Sequence, residues 1–179
     1  MKKSAICILF IFVMSAGVVK AQESFSLAGG IEADGYSVNN FIGAGPLITL
    51  DYRFNEMWAV GARGLLAVDL VAPSMSISTV QLDLTGRWYF LRWKEWVDYY
   101  FIWQNTYHFF AQLDVGGSIM SWSEKPGLAG TGFSVGGTSG CRIMLSDLFV
   151  EPYIRFGVTS QFGAGVLVGY TFRSGRGGF

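Results

Sequence analysis

The stretch Ser78-Thr79-Val80-Gln81-Leu82-Asp83-Leu84-Thr85-Gly86-Arg87-Trp88-Tyr89-Phe90 decides the reading of the chain, because apolar and polar residues alternate through it with period two. That period belongs to a β-strand, whose successive side chains point to opposite faces. Val80, Leu82, Leu84, Gly86, Trp88 and Phe90 share one face, and Thr79, Gln81, Asp83, Thr85, Arg87 and Tyr89 the other. At about 3.3 Å per residue and a tilt of about 40°, a strand of this length rises roughly 30 Å, close to the hydrocarbon thickness of a bilayer. The stretch is expected to cross a membrane as one stave of a β-barrel.

The same alternation recurs along the chain. A first strand from Phe25 to Asp34 ends in the turn-rich Gly35 to Asn40; a second runs from Phe41 to Phe54 and a third from Trp58 to Leu70, joined by the tight turn Asn55-Glu56-Met57. The loop Val71 to Ser76 precedes the opening stretch, which is the fourth. A fifth strand, His108 to Met120, is followed by a loop from Ser121 to Thr131. The sixth, Phe133 to Leu145, turns at Ser146-Asp147 into a seventh from Leu148 to Val158, and Ser160-Gln161 turns into an eighth ending at Phe172. Between Phe90 and His108 the alternation fails. Trp93, Trp96, Val97 and Tyr100 stand at helical spacing, so this segment reads either as a short amphipathic helix at the membrane interface or as an irregular aromatic turn.

Lys2 and Lys3 precede the apolar run Ala5 to Met14, and Val19-Lys20-Ala21 supplies small residues at cleavage positions, so residues 1–21 read as a secretory signal peptide cut after Ala21, or alternatively after Ala16. Residues 22–179 then form one domain. Removing Lys2, Lys3 and Lys20 leaves ten of the thirteen bases against thirteen acids, a net charge near −3 that gives no reason to expect nucleic-acid binding. Cys7 leaves with the leader, so Cys141 has no partner for an intrachain disulfide. Half the chain is hydrophobic and only 15% charged, yet residues 22–179 hold no apolar run long enough for a spanning helix. Only helices and closed barrels satisfy backbone polar groups within lipid. The expected fold is therefore all-β, an antiparallel up-and-down eight-stranded transmembrane β-barrel.

Charge placement supports lipid as the outer medium. Glu32, Asp34, Asp51, Arg53, Arg63, Asp69, Asp83, Arg87, Asp114, Arg142, Glu151 and Arg155 all fall on the less apolar parity of their strands, with Arg173 just beyond. A water-soluble barrel of lipocalin type would show the same alternation with the opposite sense. Against it, no strand carries Lys, the polar faces are rich in Gly, Thr and Arg, and aromatics gather at strand ends. Trp58, Trp88, Phe90, Tyr170 and Phe172, with Phe25, Phe54 and Phe109, would form one interfacial girdle, and Phe41, Phe133 and Phe162 the other. The inward acids and arginines are expected to interlock as a plug, since eight strands leave a lumen just wide enough for side chains.

The leader, the eight alternating segments and the closing Val166-x-Val168-x-Tyr170-x-Phe172 together resemble the OmpA/OmpX-type family of small outer-membrane barrels. The resemblance implies a bacterial outer-membrane location, a monomer among outer-membrane lipid, and recognition of the last strand by the barrel-assembly machinery through Phe172 or the terminal Phe179. It further implies a role as membrane anchor, adhesin, narrow pore or lipid-modifying enzyme. The chain departs from that family in its short presumptive outer loops and its long inner aromatic segment.

Enzymatic chemistry finds little support in the residues. The only His, His108, shares parity with Asp114 and Ser118 but forms no His-x-Ser pair, and reads as an interfacial or lumen-rim residue. One His and one Cys on opposite strand faces offer no zinc site, and the glycine pairs open no helix that could cradle phosphate. No catalytic residue, metal or cofactor is assigned. The leading expectation is a non-enzymatic outer-membrane protein with a salt-bridged lumen, and the rival a narrow porin-like channel for ions or small solutes.

Overall fold

The computed structural model describes residues 24–36, 42–70, 77–96, 104–122, 129–158 and 160–173. The expected leader, the tail with Phe179, and Phe41, Val97 and Tyr100 lie outside these residues. Eight strands follow one another: β1 (Ser24–Tyr36), β2 (Ile42–Arg53), β3 (Trp58–Asp69), β4 (Ile77–Trp96), β5 (Gln104–Trp122), β6 (Ala129–Leu145), β7 (Leu148–Gly157) and β8 (Ser160–Arg173). Each pairs antiparallel with its sequence neighbour, and β1 pairs with β8 from Ser24↔Arg173 onward, which closes the barrel. Closure leaves no free sheet edge around the ring.

Alternation along each strand becomes an inside and an outside. On β4, Leu82 and Leu84 are 66% and 72% exposed, while Gln81 and Asp83 between and beside them are 1% and 3% exposed. Polar residues outnumber apolar ones among the buried set by 24 to 12, the inverse of a water-soluble core. An apolar side chain left in water forfeits about 1.5 to 3 kcal/mol, and the outer wall carries dozens of them. The surface is suited to lipid rather than to water.

Two turns show how the chain reverses. Asn55 Oδ1 accepts the backbone N–H groups of Met57 and Trp58 at 2.8 and 2.7 Å, an Asx turn between β2 and β3. Ser146-Asp147 is the two-residue link between paired Leu145 and Leu148, with Ser146 at φ 68°.

β1, β4, β5, β6 and β8 run further than their patterns predict. β1 continues through Gly35 and Tyr36, β6 begins at Ala129 and β8 at Ser160, so segments expected to turn are paired. The largest correction concerns the aromatic segment. β4 does not end at Phe90 but reaches Trp96, and β5 begins at Gln104, so Trp93 and Trp96 belong to a strand and not to a helix or irregular turn. The cause is a bulge: Tyr89 pairs with Phe110 and Leu91 with Phe109, leaving Phe90 without a partner position. Phe90 and Leu91 consequently both face outward, at 48% and 49% exposure. One extra residue inverts the parity of everything after it, which made a continuous strand look patternless.

Glycine distributes the interior volume. Large inward side chains are paired across the ladder with glycines: Glu32 with Gly45 and Gly165, Asp51 with Gly61, Asp83 with Gly116, Asp114 with Gly136, Tyr153 with Gly140 and Gly165, and Arg155 with Gly163. A methyl at Gly61 would lie 2.6 Å from Asp51 Oδ1, and one at Gly116 the same distance from Asp83 Oδ1. At Gly140 it would meet Pro152 O at 2.6 Å, Tyr153 Cβ at 2.8 Å and Phe110 Cζ at 2.9 Å.

Three substitutions test this wall. Leu84→Arg places a cation on the outer face near the middle of its crossing, a cost of about 2 to 4 kcal/mol, and should abolish heat-modifiable mobility of the outer-membrane fraction. Gly140→Ala should lower the unfolding free energy by about 1 to 3 kcal/mol through overpacking. Gly86→Ala, with nothing within 4 Å of the new methyl, should leave it unchanged or slightly raised in the same urea titration.

Candidate functional site: the lumen

The inward faces of the eight strands bring the charged residues into two sets. Nearer the end that holds both termini, Arg87 of β4 and Arg142 of β6 each reach both Asp51 of β2 and Glu151 of β7. Arg87 Nη1 lies 3.2 Å from Asp51 and 2.9 Å from Glu151; Arg142 Nη2 is 2.7 Å from Asp51 and its Nε 2.6 Å from Glu151. Every arginine in this set has two carboxylates and every carboxylate two arginines. The charge closes on itself.

The second set lies toward the opposite end. Arg63 of β3 pairs with Glu32 of β1 and lies 4.0 Å from Asp114 of β5, while Arg155 of β7 is 3.8 Å from Glu32 and 3.4 Å from Asp114. Arg155 Nη2 also binds Asp83 Oδ2 at 2.9 Å. Tyr153 donates its hydroxyl to Glu32, and Thr138 donates to Asp114 at 2.6 Å. Gln112 joins the two sets: its Oε1 accepts from Arg87 Nε at 2.6 Å, and its Nε2 donates to Asp114 Oδ1 at 2.5 Å.

Aromatic rings fill the terminal end. Phe110 and Phe149 are fully buried, with the Arg87 guanidinium 4.2 Å from the Phe110 ring and that of Arg142 4.0 Å from the Phe149 ring. Tyr89, edge-on to Phe110, completes the layer. Strand parity would have placed Phe110 with Gln112 and Asp114, and Phe149 with Glu151 and Tyr153, but a sequence argument built on charges passes over inward rings. Tyr36, also buried, was missed because the first strand was ended at Asp34, and Ser134 because it carries no charge.

Each charged residue named from the sequence has a location. Glu32, Asp51, Arg63, Asp83, Arg87, Asp114, Arg142, Glu151 and Arg155 make up the two sets. Asp34 and Asp69 are buried further toward the non-terminal end, both in register with Gly43 of β2. Arg53 is not part of the carboxylate network. As the last residue of β2 it sits half-buried at the rim, donating to the carbonyls of Asn55 and Glu56, with its guanidinium 4.3 Å from the Tyr89 ring. His108 is buried beside Tyr89, their ring centres 5.9 Å apart.

Outward aromatics cluster at the terminal end: Trp58 stacks on Trp88 at 6.1 Å, Trp88 meets Phe90 at 5.6 Å, Tyr170 meets Phe172 at 4.8 Å, and Phe25 lies 6.1 Å from Phe172. At the other end Phe156 and Phe162 are 5.4 Å apart.

No family model matches the chain, and no curated protein matches it by sequence. Among solved structures, Neisserial surface protein A superposes with a TM-score of 0.55 at 11% identity, over 86% of this chain and 97% of that one. The N-terminal β-barrel domain of Pseudomonas aeruginosa OprF gives 0.53 at 9% identity, over 85% and 98%. Identity at this level speaks to fold alone, and the closed ring of eight antiparallel strands agrees with it: the chain has the fold of the small eight-stranded outer-membrane β-barrels.

Proposed function

We propose that this chain is a non-enzymatic integral outer-membrane protein whose sealed barrel anchors or stiffens the membrane and presents its loops for surface interaction. The observation that carries the reading is the doubly paired set of Asp51, Glu151, Arg87 and Arg142 lying against the Phe110, Phe149 and Tyr89 layer. Nine-tenths or more of each of these seven side chains is withdrawn from solvent, which supports a closed lumen at that level. A solute crossing there would have to part four mutually sharing ion pairs and leave their charges buried without partners.

The surroundings of the barrel follow from its outer wall. Outer-membrane lipid would cover the apolar band, with Trp58, Trp88, Phe90, Tyr170 and Phe172 at the interface, and the Tyr170/Phe172 end of β8 would present the signal read by the barrel-assembly machinery. With its ring closed, the barrel would work as a monomer. The outer-membrane position is supported by the fold and by the leader-like residues 1–21, and the anchoring role by the filled lumen.

Two measurements test the plug. Purified protein in planar bilayers at neutral pH should show no steady single-channel openings; a reproducible conductance would replace the sealed barrel with a narrow pore. Arg87→Ala leaves Asp51 and Glu151 sharing one arginine, and should lower the unfolding free energy by about 3 to 5 kcal/mol in a urea titration on lipid vesicles. An effect below about 1 kcal/mol would show that the pairs do not hold the interior.

A further inference from the structure

The described arginine side chains divide by their partners. Arg63, Arg87, Arg142 and Arg155 each reach two carboxylates or more, whereas Arg53 and Arg92 form no ion pair among the described residues. Both exceptions stand at the terminal mouth of the barrel, Arg53 half-buried at the last position of β2 and Arg92 exposed on β4, two positions beyond Phe90.

They converge on one histidine. Arg92 is in register with His108 of β5, and His108 with Arg142 of β6, so the three side chains stand in one row on the inner face. Arg53 reaches the same place from across β3: its guanidinium lies 4.3 Å from the Tyr89 ring, whose centre is 5.9 Å from that of His108. The charged groups acting on His108 are Arg53, Arg92 and Arg142, with no carboxylate among them.

The donors at this mouth are not equally committed. Arg142 is fully engaged, its Nε donating to Glu151, its Nη1 to Ser26 and its Nη2 to Asp51. Arg53 donates from Nε and Nη2 to the carbonyls of Asn55 and Glu56, which fixes the plane of its guanidinium and leaves Nη1 without an acceptor among the described residues. The carboxylate that acts on it, that of Glu56, is exposed on the turn and does not pair with it. His108 is only 7% exposed, and its ring makes no hydrogen bond among the described residues.

We propose that this mouth is an oxyanion site in which a phosphate group is held by Arg53 Nη1, the Arg92 guanidinium and the His108 imidazole. A tetrahedral anion offers oxygens to three strands at once, whereas a carboxylate is satisfied by one guanidinium in its own plane. Guanidinium and imidazolium supply donors and no acceptor, and an anion between them offsets their mutual repulsion. Depth points to the same chemistry. Trp88 and Phe90 lie just before Arg92 on β4, and in the membrane proposed above the lipid phosphates of that leaflet stand at this level. The choice of ligand rests on that placement, but the site does not depend on the seal: a steady current would overturn the plug and leave the site standing.

His108 is the only histidine of the chain, so its imidazole resonances report the site directly. The protein, without an affinity tag and folded in maltoside micelles at neutral pH, is titrated with inorganic phosphate and separately with dihexanoyl phosphatidic acid, each against NaCl at equal ionic strength. At least one phosphate probe should move the His108 resonances along a saturating curve that chloride does not reproduce. Saturation by inorganic phosphate marks a soluble phosphate compound as the ligand, and saturation by the lipid alone marks a membrane headgroup; both uphold the site. Arg92→Gln and Arg53→Gln should each raise the half-saturating concentration at least tenfold. Should one of them lose heat-modifiable mobility, the other decides. The absence of a saturable shift with either probe would overturn the proposal, and so would a folded variant whose titration superposes on that of the wild type.

Discussion

A guanidinium or carboxylate shut away from water must have its opposite charge within contact distance, and most of this molecule is arranged around that requirement. With lipid as the outer medium a charge on the outer face is costly, and Glu32, Asp51, Arg63, Asp83, Arg87, Asp114, Arg142, Glu151 and Arg155 all turn inward; eight strands leave an interior about one side chain deep, so those groups meet. The result is a buried set that is two-thirds polar, held by pairs such as Arg142–Glu151 at 2.6 Å and Arg142–Asp51 at 2.7 Å. Such pairs add little net stability compared with an apolar filling. Their effect is specificity: a strand shifted by one residue would put Arg87 or Glu151 into lipid, so the ladder has one acceptable register.

Volume is the second half of the same constraint. Arginines and tyrosines are too long to face one another across a narrow ring unless something small stands beside them, and the ladder supplies glycine at those places. Gly163 lies across from Arg155 and Gly140 across from Tyr153, with the next ring, Phe110, also touching the space at Gly140. The role of these inward glycines is therefore spatial. It is the negative of the arginine, tyrosine and carboxylate pattern, drawn on the neighbouring strand.

The division between inside and outside was legible residue by residue, because a period of two is fixed by the backbone and needs no knowledge of tertiary contacts. The face of Asp83, Arg87, Asp114 and Arg155 follows from that period alone. What did not follow was anything set by neighbours in space. Arg53 has inward parity, yet its position one step from the Asn55 turn hands it to backbone carbonyls instead of a carboxylate. The bulge at Phe90 could not be read because a single unpaired residue inverts the pattern without changing composition, so the continuation to Trp96 looked like disorder in the alternation. Nor does one strand reveal which arginine faces which acid: Arg142 meets Asp51 from 91 positions away.

The two ends of the lumen differ in kind. At the terminal end, charge is neutral within four residues and the guanidinium faces are covered by Phe110 and Phe149, so a cation gains nothing by entering and finds arginines in its way. At the other end Arg63 and Arg155 are shared among Glu32, Asp83 and Asp114, with Asp34 and Asp69 buried beyond them. Gln112 is the joint between these regions, accepting from Arg87 on one side and donating to Asp114 on the other. An amide is the side chain suited to that position, since it presents an acceptor to the cationic set and a donor to the anionic one while adding no charge to either.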